Sequence, residues 1–134
     1  MHLCKAEAVR KSLSEEKQKC SINTHHESLT FDLQKVQSLP QLTSNVVYYC
    51  RQLSVYNLGI HSLVNGQGTM HIWDESVASR GAEEIGSCLL KYCSEKAEAG
   101  VRVINAYSDA CGGQNRNYKI VLMWMHLCKN HRNY

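Results

Sequence analysis

"VRVINAYSDACGGQNRN", Val101–Asn117, is the stretch whose reading decides the fold. Its first part, Val101 to Tyr107, is short and rich in Val and Ile, which predicts a β-strand. It comes straight after a helical pattern closed by Gly100, as a C-terminal glycine commonly closes one. The strand runs out into an acid, Asp109, then Cys111-Gly112-Gly113, then Gln114-Asn115-Arg116-Asn117. A plain turn needs only one or two such residues. This order suggests that Asp109 is held up for chemistry.

Upstream, "SLTFDLQKV" alternates, with Leu29, Phe31 and Leu33 on one side and Thr30, Asp32 and Gln34 on the other. Period two predicts a strand, and Pro40 ends it. Thr43 or Ser44 can cap a short helix through "NVVYYCRQ", although its β-branched and aromatic content also suits a strand. "LSVYNLGIHSLV" and "TMHIWDE" flank Asn65-Gly66-Gln67-Gly68, a hairpin signal. Ser79 reads as the N-cap of a helix from Arg80 to about Glu98, with Glu83 and Glu84 at its positive end. Ala82, Ile85, Leu89 and Tyr92 or Cys93 form its core stripe. "NYKIVLMWMHLCKN" is apolar on nearly every side and predicts a buried helix. At the front, Lys5 to Cys20 reads as a helix with a thin stripe of Val9 and Leu13, followed by a polar loop.

The chain thus divides into a leading helix and loop (1–27) and an α/β domain (28–134). Strand, hairpin pair, helix, strand, helix is the order of a mixed sheet with helices on its faces.

Composition sets the outer bounds. At 134 residues the chain is one domain or a piece of one. A net charge of +3, with Lys and Arg spread along the chain, permits contact with nucleic acid but lacks a dense basic stripe. No apolar run approaches the ~20 residues of a membrane span, so no membrane partner is expected. Seven cysteines, an odd number without an export signal, predict free thiols and an intracellular setting.

Asp32 inside the first strand and Asp109 at the end of the later one are the candidate site. If these strands are parallel neighbours, with the Arg80–Glu98 helix as crossover, both carboxylates meet at one end of the sheet. That pair suits a hard divalent cation, Mg²⁺ or Mn²⁺, which takes oxygen ligands and acts in phosphodiester chemistry. Gly112 and Gly113 would let the backbone turn sharply and a phosphate come close. Gln114, Asn115 and Arg116, with Asn117, would open the next helix with donors for phosphate or base edges. The competing explanation is that Asp109 caps that helix and the amides fill a loop.

Asp74 and Glu75 are accessory acids. They stand near the metal cage or simply favour the start of the following helix. Arg51 and Arg80 are further phosphate candidates, or plain surface charges. Cys128-x-x-His131 has zinc-like spacing, but no second close pair accompanies it, so zinc is not expected. Trp73, Trp124, Tyr48 and Tyr49 can stack on bases, but core packing explains them more economically.

Taken together, "SLTFDLQKV", "NVVYYCRQLSVYNLGIH", "MHIWDESVASRGAEEIGSCLLKY" and "INAYSDACGGQNRN" resemble the transposase-derived, RNase H-like (DDE-type) domains abundant in insect and other animal genomes. The resemblance runs from about Leu29 to Trp124. It implies an RNase H-like mixed sheet, an acidic triad with Asp32 and Asp109 as its first two members, Mg²⁺-dependent cutting or joining of DNA, and a nuclear location. In that pattern the third acid comes from a helix after a further strand, and Tyr134 falls before either, so a truncated domain is expected. The alternative is a non-catalytic remnant that binds nucleic acid or protein. DNA is the expected partner, with self-association through incompletely covered surface as the second.

Overall fold

The computed structural model describes residues 25–41 and 49–130, with helical positions at 7–8, 10–12, 14–15 and 18. Those positions fall within the predicted leading helix, and the rest of that helix lies outside the described residues. So do residues 42–48, including the expected cap at Thr43 or Ser44 and also Tyr48. Tyr49 and Cys50, just after them, form a turn and bend.

Seven elements follow: β1 (His26–Leu33), β2 (Gln37–Leu39), β3 (Leu53–Ser62), β4 (Gly68–Asp74), α1 (Ala82–Glu98), β5 (Val103–Tyr107) and α2 (Tyr118–Asn130). The five strands make one mixed sheet. β1 is antiparallel to β3, with Leu33 opposite Leu58, and parallel to β5, with Thr30 opposite Tyr107. Val55 of β3 pairs with both Gln37 and Asp74, so β2 and β4 occupy opposite edges of β3. β2 therefore lies in line with β1, and the lateral order is β4, β3, β1 with β2, then β5. The protein is mixed α/β, and α1 is the crossover that carries the chain from β4 to β5.

The alternation read in β1 sets the core. Leu29, Phe31 and Leu33 sit beside Leu58 and Ile60 on one face of the sheet, and all five are buried. Ala82, Ile85, Leu89, Tyr92 and Cys93 of α1 complete that core. Burying side chains of this kind stabilises the fold by about 1.5–3 kcal/mol each, which is why the three-four spacing of α1 and the two-spacing of β1 were readable. At the start of β1 the same face carries Glu27, only 4% exposed. It accepts from Ser62 Oγ at 2.6 Å and pairs with Lys96 Nζ of α1 at 3.0 Å.

Three expectations need correction. The N-cap of α1 is Gly81 rather than Ser79. Ser79 instead gives its backbone N–H (3.1 Å) and hydroxyl (2.8 Å) to Glu84 Oε1, so the acid in the first turn reaches back and consumes the cap. Burial raises the Glu84 carboxyl, but these bonds and backbone N–H groups outweigh it and hold it below its usual range. The C-terminal end does follow the expected pattern: Gly100 adopts φ +96° and its N–H donates to Ala97 O at 3.0 Å.

The second correction concerns α2. It is a helix but not a buried one. Ile120 and Leu127 are buried and Met123 and Trp124 partly so, whereas Tyr118, Val121, Leu122 and Met125 are 56–70% exposed. The third is its start. Gln114, Asn115, Arg116 and Asn117 precede α2 rather than opening it, and Asn117 is the cap, its Oδ1 accepting from the N–H groups of Lys119 (3.0 Å) and Ile120 (3.2 Å).

Candidate two-carboxylate site

Asp32 is an exposed residue of β1, on the sheet face opposite the core, and its carboxylate has no hydrogen-bond partner among the described residues. Its cross-strand neighbour is Gly59. A Cβ there would come 3.4 Å from Met70 Sδ and 3.9 Å from the Asp32 carbonyl, so the Met70 thioether lies over the space that a side chain would take. Gly59 was not singled out in the sequence, where a glycine between Leu58 and Ile60 reads only as an interruption of a strand.

Asp109 belongs to the loop between β5 and α2. The β1–β5 register pairs Thr30 with Tyr107. Continued by two residues on each chain, that register would bring Asp109 level with Asp32 at the ~4.8 Å spacing of paired strands, but the pairing ends at Thr30 and Tyr107. The strand itself stops at Tyr107, and the chain beyond coils into a compact loop. Cys111 O is the hub, accepting from the backbone N–H of Gln114 (3.3 Å), Asn115 (2.8 Å) and Arg116 (2.9 Å). Asp109 Oδ1 accepts from Asn115 Nδ2 at 2.5 Å and from the Cys111 N–H at 3.4 Å. Asp109 therefore organises its own loop; it does not cap α2.

Gly112 and Gly113 are exposed, and nothing lies within 4 Å of a Cβ at either. Both lie in the turn that was expected, but neither takes a positive φ, so their backbone angles alone do not call for glycine. What they leave is an open flank. Arg116 is exposed and makes no ion pair among the described residues. With its amide oxygen turned toward Arg80, Gln114 accepts from Nε at 3.1 Å and Nη2 at 3.3 Å. This fork ties the Asp109 loop to the segment between β4 and α1, a link between residues far apart in sequence that no local pattern announces.

The accessory acids are elsewhere. Asp74 lies opposite Val55, four residues along β3 from Gly59, the partner of Asp32, and two strands across. At ~3.3 Å per residue and ~4.8 Å per strand that is roughly 16 Å. Asp74 closes a turn, accepting from the N–H of Ser76 at 2.8 Å and from its hydroxyl, and these bonds hold its carboxyl below the usual range. Glu75 pairs with Arg51 at 3.4 Å. Trp73 is half-buried, stacks obliquely on Tyr56 with ring centroids 5.8 Å apart, and donates its indole N–H to Ser79 O at 3.0 Å. Among the described residues no group of three or more His, Cys, Asp or Glu converges as a metal cluster would. No described helix is long and apolar enough to cross a membrane. The Cys93 thiol is pushed up to about 12 by burial, reinforced by Glu27, and is chemically silent at neutral pH.

Comparison with protein-family models, with curated proteins and with solved structures gave no match.

Proposed function

We propose that the chain belongs to a transposase-derived, RNase H-like nuclease domain that acts on DNA phosphodiesters with Mg²⁺ or Mn²⁺. The observation that supports this reading is the parallel pairing of β1 and β5, whose register ends with Thr30 opposite Tyr107, two residues short of Asp32 and of Asp109. The strand order and the crossover through α1 are compatible with it. The donor set suits a hard cation: both oxygens of Asp32 are unengaged, and only Oδ1 of Asp109 is in use. Two carboxylates hold such an ion together with waters and a substrate phosphate. The bound cation would stabilise charge developing on the phosphate oxygens. The protein's part is to fix the two acids on a rigid strand and a braced loop, and to offer Arg116 and the open glycine flank to the nucleic-acid backbone.

A second reading is a non-catalytic nucleic-acid-binding or protein-interaction module. It draws on the bonds from Asn115 and Cys111 to Asp109 and on the want of a third converging acid among the described residues.

Mn²⁺ titration followed by electron paramagnetic resonance separates the two. The nuclease reading expects Mn²⁺ on the folded chain, with Asp32→Asn and Asp109→Asn each weakening it by at least ~10-fold. Equal binding in both variants removes the metal site. The module reading expects salt-dependent DNA affinity that survives both substitutions and falls in Arg116→Ala.

A further inference from the structure

β4 forms an edge of the sheet among the described residues, pairing only with β3. Ser62 N–H donates to Gln67 O and Glu75 N–H to Ser54 O, both at 2.9 Å. Hydrogen-bonded pairs alternate in an antiparallel ladder, so Thr69, His71 and Trp73 turn their backbone groups toward β3. Met70 and Ile72 therefore aim their N–H and C=O outward. β4, with sequence "GTMHIWD", has none of the lysine or proline that usually blunts an open edge. The Met70 and Ile72 side chains are 55% and 66% exposed.

Beside this edge runs an open groove of about 530 Å³. One wall is the consecutive run Met70–Trp73, and the other is Glu83, Glu84, Ser87 and Cys88 from one face of α1. His71 lines it too, with a buried Nε2 that lacks a hydrogen-bond partner. A strand edge with a helix wall beside it across a cleft is a setting in which an extended peptide can add a strand, its main chain bonding the edge and alternate side chains entering the cleft.

We infer that the β4 edge and the β4–α1 groove form a docking site for an extended segment of a partner protein, with an aliphatic residue for the cleft and Lys or Arg two positions away. The aliphatic group meets Trp73, Ala78 and Cys88. The base meets the acidic rim, where Glu83 is 72% exposed and shared only with Lys119. Residues pointing to the other side of the added strand cover Met70 and Ile72.

A phage-displayed random heptapeptide library panned on the intact chain tests this, with Ile72→Pro as the counter-target. Proline at Ile72 removes an outward N–H only, a position where edge strands accept it, and Ile72→Val keeps the donor. The expected clones alternate aliphatic and basic residues, bind wild type and Ile72→Val within ~3-fold, and bind Ile72→Pro about 10-fold less, near the worth of one lost hydrogen bond. If Ile72→Pro does not fold, backbone N-methylation of the selected peptide should give the same loss on wild type. Clones indifferent to both changes, or no enrichment on the wild-type chain, overturn the proposal. A wild-type dimer in sedimentation that Ile72→Pro converts to monomer also overturns it, because the edge then belongs to a second copy.

Discussion

β1 carries an acid near each end, and the two have opposite surroundings. Glu27 is buried, receives a hydroxyl from Ser62, and faces Lys96, whose ammonium also lies 5.3 Å from the Tyr92 ring. Asp32, five residues on, is exposed and bonded to nothing described. One strand thus spends one carboxylate on joining β1, β3 and α1, and keeps the other available. The difference follows from parity: odd positions of β1 face the core and even positions face away. A buried charge must be paired; an exposed one has no such obligation.

The largest effect expected from breaking this contrast is on Glu27. Glu27→Gln leaves Lys96 without its counter-charge in a site where its side chain is 26% exposed. Partial escape of the ammonium to water moderates the cost, and about 1–3 kcal/mol is expected from urea unfolding. Next is the alkaline response. Burial lowers the Lys96 ammonium, but the Glu27 bond and charge outweigh it and raise it above the ordinary lysine value. Folding therefore binds this proton more tightly. The stability gained is complete below the unfolded lysine value near 10.4 and is lost as pH rises through the higher folded value. The Tyr92 hydroxyl, raised chiefly by burial, titrates in the same direction. The alkaline slope should survive Tyr92→Phe in part and shrink further when Glu27→Gln is added. The smallest effect belongs to the other end. Asp32→Asn should change stability by no more than about 0.5 kcal/mol, so its loss of Mn²⁺ would report the site and not the fold. A melting temperature lowered as much as in Glu27→Gln would erase the contrast.

Much of this arrangement was legible beforehand. The alternation around Phe31, the Asn65-Gly66 turn and the Ile85–Leu89–Tyr92 stripe each repeat a period that only one element satisfies. β2 was missed because three residues carry no period. The cap of α1 was misplaced because Ser79 looks like a cap in isolation and loses its hydroxyl to Glu84 only once the chain has turned. In α2, apolar residues on nearly every side concealed which face the core would use; Ile120 and Met123 meet Gly86 of α1, and the others remain outside. For the candidate site, the place of Asp32 within a strand was readable, whereas the strand expected to end at Asp109 stops two residues earlier, at Tyr107. The grip of Asn115 on Asp109 was not readable, because four consecutive polar residues offer interchangeable donors and the loop's coiling around Cys111 O chooses among them.

The Arg80–Gln114 fork has a consequence for how the molecule can be watched. Gln114 belongs to the loop that holds Asp109, and Arg80 follows Ser79, whose carbonyl receives the indole N–H of Trp73. A continuous set of contacts therefore runs from the acid loop to a fluorophore near the far edge of the sheet. In a Trp124→Phe background, which leaves Trp73 as the single indole, its emission is expected to follow that loop without a label and at a distance from whatever the loop engages.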